Sequence, residues 1–259
     1  MRASLLLLSL LTGCMTFHPL DAAGGSGPER ADAADAAAGP VEWRPEWWEI
    51  GRSVAGLPLR ITRVGHGPRH VLWVGGIHGN ETEGRIATEE LPRALLATVG
   101  GVETATLVIL ENVNPDGTVR NTRGNAHGVD LNRNFPAANF KPSRLFGLQP
   151  LDQPEARALH DLIASERPDL VIVAHSWHDD HFINFDGPAE HLARRFSNLS
   201  GYRVQASDGI APTPGSLGSW VGVQQGIPIL TLEYHRGRDP WVAWQETRQA
   251  ILSVVLSGA

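Results

Sequence analysis

Four short apolar runs constrain this chain more than any other feature: Val71–Val74, Leu107–Leu110, Leu170–Ala174 and Ile227–Leu232. Each is continuous rather than alternating, the pattern of strands buried on both faces. Segments with helical spacing lie between them. Glu155 to Ser165 sets Leu159, Leu162 and Ile163 on one face. Pro188 to Leu199 and Gly215 to Gln225 are compatible with helices, and Asp239 to Leu256 closes the chain with Trp241, Trp244, Ile251 and Val255 on a stripe. Glu81 to Val99 is helical in pattern but contains Pro92, which predicts a break or two shorter pieces. Pro228 is expected at the start of its strand, where a missing N–H is tolerated. Strands alternating with helices specify an α/β fold with a mostly parallel sheet.

Polar groups follow each run. His78 and Glu81 stand just beyond the first, Asn112 and the turn Asn114-Pro-Asp-Gly117 beyond the second, and His175 beyond the third, while Glu233 ends the fourth. Ligands of open α/β sheets bind outside the carboxyl ends of the strands, so these dispersed groups are predicted to meet in one cleft. If the chain turns helical near Gly79, His78 and Glu81 can converge on one point. Imidazole and carboxylate are zinc-ligand types, and three protein ligands plus water make a catalytic site. Each residue also has a plainer reading. A single His after a strand is commonly structural, Glu233 could pair with Arg236, and Arg120, Arg123 and Arg133 could form a solvated face. His175, His178 and His181 could form a different metal cluster. Their common position at strand ends favours the cleft. The segment Val113 to Gln149 has almost no periodic pattern, and loops of that length in a compact domain are usually functional.

The chain has 259 residues, 42% of them hydrophobic, enough for one sizeable domain without disulfide staples. A net charge of −6 argues against a nucleic-acid partner. The single cysteine excludes an internal disulfide, and its position is informative: Arg2, an apolar run Leu5–Leu11, and then Leu-Thr-Gly-Cys14. This resembles a bacterial lipoprotein signal, with residues 1–13 removed and Cys14 lipidated. The run is too short to span a bilayer. Residues 14–40, rich in Ala, Gly, Asp and Pro, read as a flexible tether with a reach of roughly 25–30 Å. The catalytic domain is assigned to 41–259, opening with Trp43, Trp47 and Trp48 as core or edge packing or, alternatively, a carbohydrate-facing surface. The expected address is the cell envelope, facing the periplasm or exterior, with the membrane reached through the lipid anchor. A monomer is expected.

The segments GGIHGNETEG, NPDG, TRGNAHGVDLNRNFP, AHSW and ILTLEY, in that order, resemble the motif series of the carboxypeptidase A-like zinc metallopeptidases. PTPGSLGSW at Pro212–Trp220 makes the bacterial murein peptide amidase branch the nearest likeness. The resemblance implies a mixed, mostly parallel sheet with helices on both faces. It also implies one zinc ion held by His78, Glu81 and His175, the family's His₂Glu set. It makes Glu233 the catalytic acid–base, Arg123 the stabiliser of the oxyanion, and Asn132 and Arg133 the grip on a substrate carboxylate. Asp130 becomes the carboxylate that orients the first histidine. The family's mobile tyrosine has no counterpart in place; Gly209-Ile-Ala-Pro-Thr stands there, and Tyr202 is displaced. The implied activity is hydrolysis of an amide beside a free carboxylate, with a murein peptide as substrate and γ-D-glutamyl–meso-diaminopimelate as the bond. Alternatives are a metallocarboxypeptidase on ordinary peptides, an N-acyl amino acid deacylase of the aspartoacylase type, and a silent envelope binding module.

Overall fold

The computed structural model describes residues 44–207 and 213–258. The signal, the tether, Cys14, Trp43 and residues 209–212 lie outside the described residues. Eight strands form one sheet: β1 (Trp48–Arg52), β2 (Pro58–Val64), β3 (Arg69–Val74), β4 (Ala105–Leu110), β5 (Leu170–Trp177), β6 (Phe182–Asp186), β7 (Arg203–Ala206) and β8 (Ile229–His235), in the order β1-β2-β4-β3-β5-β8-β6-β7. The four apolar runs become β3, β4, β5 and β8, a contiguous parallel centre. The flanking strands add antiparallel pairings of β1 with β2, β2 with β4 and β6 with β8. These outer strands have mixed or partly exposed faces, and so carry no continuous apolar run.

Continuous apolar sequence is explained by two-sided burial. Within β3, Val71 and Trp73 enter one core while Leu72 and Val74 enter the other. On the first face α1 (Arg85–Leu96), α5 (Glu190–Ser200) and α6 (Pro240–Val255) cover the sheet with Leu91, Leu95, Phe196, Ile251 and Val255. On the second, α4 (Pro154–Glu166) supplies Leu159 and Ile163, joined by Trp220 and Val221. Each such side chain contributes about 1.5–3 kcal/mol when fully buried. Two short helices, α2 (Gly101–Thr104) and α3 (Pro115–Arg120), precede and follow β4 in the chain.

Three local expectations are corrected. Helix α1 runs unbroken through Pro92; the proline forfeits one intrahelical bond, and Leu91, Pro92 and Leu95 are buried, which holds the turn in place. Pro228 precedes β8 rather than starting it, and its carbonyl accepts from the Val171 N–H. Trp241 is half-exposed beside the buried stripe of α6, whose start is fixed by Asp239 Oδ1 accepting from the N–H groups of Trp241 and Val242. Residues Gly218–Gln224 are helical with the wider π-type winding, a geometry common beside functional sites. Among the described residues no helix is long and apolar enough to cross a membrane.

Candidate metal centre and cleft

The strand order reverses between β3 and β5, with β4 on the outer side of one and β8 on the outer side of the other. Their carboxyl ends therefore open a crevice, and the predicted residues converge there. His78 and Glu81 follow β3, His175 lies in β5, and Glu233 lies in β8 directly opposite His175 in the strand register.

Loop packing sets the position of the first two. Gly79 lies against the backbone of Gly117, where a Cβ would come within 2.0 Å of the Gly117 carbonyl carbon, so only glycine permits this approach. Asn114 is the hub of the facing turn. Its Oδ1 accepts from the Gly117 N–H and caps α3, and its Nδ2 donates to the Arg123 carbonyl at 3.0 Å. The NPDG turn thus places Arg123 beside the HGNE loop. The long loop that follows is held by buried side chains rather than by periodic structure. Asn134 Nδ2 donates to the Phe146 carbonyl and to Asp152 Oδ1, and Asn125 Nδ2 to Gln153 Oε1 and Glu155 Oε2.

His78, Glu81 and His175 are all buried, and their ligand atoms lie within 4.8 Å of one another. His78 Nε2 sits 2.9 Å from Asp130 Oδ1, which leaves Nδ1 facing the group. That Nδ1 is 3.0 Å from Glu81 Oε1, yet it has no hydrogen bond because the angles do not align. A buried nitrogen close to a carboxylate but not bonded to it is what two ligands of one cation produce. His175 also turns Nδ1 to Glu81, here in a hydrogen bond of 2.9 Å with Oε2, while its Nε2 lies 3.1 Å from Asn132 Nδ2. The residues fit zinc in type, number and convergence. His178 and His181 stay outside this group; His181 is exposed and packs on Tyr202.

Charge follows the same plan. Burial alone would raise the Glu81 and Asp130 carboxyls, but the neighbouring His78 outweighs it and holds both well below the usual range. Burial also opposes the charged form of His78, yet Glu81 and Asp130 raise its pKa. Arg123 donates from Nη1 to Glu81 Oε1 at 2.8 Å and from Nε to Asp130 Oδ2 at 2.9 Å. Burial pulls the Arg133 pKa down, with Asp130 opposing. Glu233 is raised, chiefly by burial, with the Glu81 charge adding to the effect.

One cleft is lined by the ligand trio together with Glu233, Arg123, Asn132 and Arg133. Of the other residues predicted to meet here, Asp130 stands behind His78, and Asn112 and the Asn114–Gly117 turn do not line the cleft: Asn112 faces a separate pocket with Pro115 and Thr118, because the turn is used to brace the loops. Asn132 is fixed at both ends, since its Oδ1 accepts from the Leu217 N–H at 2.8 Å while its Nδ2 meets His175. Tyr202 is absent from the cleft and buried against Phe196 and Tyr234. Among the lining residues that the sequence reading did not single out are Asn184 and Asp186 of β6. The signal was present: Ile183-Asn-Phe-Asp186 alternates, which points Asn184 and Asp186 to one face of the strand. Burial pushes the Asp186 carboxyl pKa up.

Sequence comparison matches residues 44–191 to the family described as zinc carboxypeptidase. Murein peptide amidase A of Escherichia coli (strain K12) is 33% identical over 201 residues, covering 71% of this chain and 79% of that protein. The crystal structure of murein-tripeptide amidase MpaA from Escherichia coli O157 superposes with a TM-score of 0.66 at 26% identity, covering 84% of this chain and 94% of that one. Bovine thrombin-activatable fibrinolysis inhibitor, solved with tick carboxypeptidase inhibitor, shares the fold with a TM-score of 0.67 at 20% identity, covering 82% of this chain and 88% of that one.

Proposed function

The chain belongs to the zinc carboxypeptidase family, and from that premise we propose that it cuts murein peptides at the γ-D-glutamyl–meso-diaminopimelate bond. It is a zinc metallopeptidase, and the cleft supplies each group the reaction needs. His78, Glu81 and His175 would hold the ion, which would supply polarisation of the scissile carbonyl and a lowered pKa for water. Glu233 accepts the water proton and delivers it to the leaving amine; its raised pKa suits a group that must both take and return a proton. Arg123 meets the negative charge that develops on the carbonyl oxygen. Arg133 and Asn132 bind the carboxylate next to the amide, a task suited to the guanidinium fork.

The observation that carries the substrate is the pairing of charges in one cleft. Arg133 and Asp186 both line it. A leaving group with a carboxylate beside the amide and an ammonium farther along its side chain satisfies both, and meso-diaminopimelate has both. The named amidase relative supports the same bond class. The test is a competition digest of L-Ala-γ-D-Glu-meso-diaminopimelate mixed with α-linked peptides of varied C-terminal residue, followed by mass spectrometry. The tripeptide should disappear first, releasing free diaminopimelate. Trimming of the ordinary peptides with the tripeptide left intact would reassign the enzyme as a general carboxypeptidase.

The same reading includes an envelope address. Arg2, the Leu5–Leu11 run and Cys14 support cleavage after residue 13 and lipidation of Cys14, with residues 14–40 as the tether. A Cys14→Ser variant should leave the membrane fraction and lose the acyl mass; an unchanged fractionation would remove the anchor from the account.

A further inference from the structure

A second cavity adjoins the cleft, lined by Asn80, Glu81, Arg123, Ser176, Trp177, His178 and Arg236. It shares Glu81, Arg123, Ser176 and Trp177 with the cleft but lacks Asn132, Arg133 and Asp186. The groups assigned to the leaving amine are thus absent from this cavity, which is left to take the acyl side of the substrate.

We propose that Arg236 and Asn80 form an acyl-side subsite that reads the free α-carboxylate and adjacent amide N–H of a γ-linked D-glutamyl residue. The proposal rests on the murein-peptide reading above. In a γ-linked glutamyl substrate the α-carboxylate stands a short carbon chain from the scissile carbonyl, and the same carbon bears the amide N–H to the preceding residue. An α-linked peptide places no carboxylate there.

Arg236 is held ready for such a group. Its backbone N–H donates to the Trp177 carbonyl at 2.8 Å, and the next N–H, of Gly237, donates to buried Glu83 Oε1 at 2.8 Å. Its Nη1 donates to Ser176 Oγ at 2.9 Å. Its one acidic neighbour, Glu81 Oε1, lies 3.7 Å away and already accepts from Arg123 at 2.8 Å. The remaining donors, Nε and Nη2, make no hydrogen bond among the described residues. Glu81 Oε1 is thus shared with the nearer Arg123, so an incoming carboxylate would give the Arg236 charge a closer partner. Asn80 adds an independent observation. Its Oδ1 is buried without a hydrogen-bond partner. Such an acceptor costs stability unless a donor arrives, and the amide N–H beside the α-carboxylate is such a donor.

The experiment compares kcat/KM of the zinc-loaded enzyme on L-Ala-γ-D-Glu-meso-diaminopimelate and on its D-isoglutaminyl analogue, in which the α-carboxylate is a neutral amide. The wild type should favour the acid by about tenfold or more, the scale of one charge-assisted hydrogen bond. In Arg236→Met that ratio should fall to near one, and in Arg236→Lys it should be intermediate. Calorimetry provides a second readout: L-Ala-D-Glu should bind the wild type more tightly than L-Ala-D-isoglutamine, and Arg236→Met should lose the difference. Equal rates on the two substrates in the wild type, or a ratio that survives in Arg236→Met, overturns the subsite and leaves the amidase reading intact. Failure of the wild type to cut either substrate overturns the amidase reading and this proposal with it.

Discussion

His78 Nε2 lies 2.9 Å from Asp130 Oδ1, while the equally buried Nδ1 of the same ring has no hydrogen-bond partner. The carboxylate therefore decides which nitrogen carries the proton and leaves the other lone pair for zinc. Asp130→Ala should weaken zinc binding by about 10–100-fold, measured by competition with a chromogenic chelator. An unchanged zinc Kd would mean that the ring is oriented by packing alone.

Arg123 contacts both Glu81 and Asp130, so it could be a brace rather than a participant. The two roles differ kinetically. As the group that meets the oxyanion, Arg123→Met should lower kcat by about 10²–10³-fold with zinc still bound. A loss of zinc that accounts for the whole loss of rate would assign it to bracing.

Glu233 acts as a base only when ionised, and burial raises its pKa, with the Glu81 charge adding to this. Activity should rise with pH as Glu233 ionises, and that acid limb of kcat/KM should be missing from Glu233→Gln. Stability runs the other way. A carboxyl whose folded pKa exceeds its unfolded one stabilises the fold at low pH, and that contribution is lost as pH rises through the folded value. Metal-free Glu233→Gln should therefore gain in thermal midpoint over the wild type as pH increases across that window. A wild-type midpoint that stays parallel to the variant's throughout would show that the carboxyl is not strained by burial.

Asp186 is assigned the distal ammonium of the leaving group. Asp186→Asn should raise KM for the diaminopimelate tripeptide about tenfold with a small change in kcat, the pattern of uniform binding. The same loss on a tripeptide whose C-terminal side chain is uncharged would show that Asp186 shapes the cleft rather than reading charge.

The centre of the fold and the metal trio were legible because two-sided burial writes continuous apolar runs, and the runs end at the site. The outer strands were not legible, since β1, β6 and β7 have exposed or mixed faces and take their pairing from neighbours. Pro92 misled for a related reason: its intrinsic cost to a helix is real, but the packing around α1 exceeds it. The contact of Gly79 with Gly117 joins residues far apart in sequence, and only tertiary structure reveals why Gly79 is glycine; Gly117 is crowded instead by Asn114 and Gly124. Arg236 was singled out in sequence only as a partner for Glu233; in the structure it instead contacts Ser176 and approaches Glu81.

The most direct measurement digests L-Ala-γ-D-Glu-meso-diaminopimelate with residues 41–259, comparing wild type and Glu233→Gln with zinc content determined for each. The account predicts one zinc in both proteins, with free diaminopimelate and L-Ala-D-Glu released by the wild type and a rate about 10²–10⁴-fold lower in the variant. An intact tripeptide with the zinc-loaded wild type, or equal cleavage by the two proteins, would contradict it.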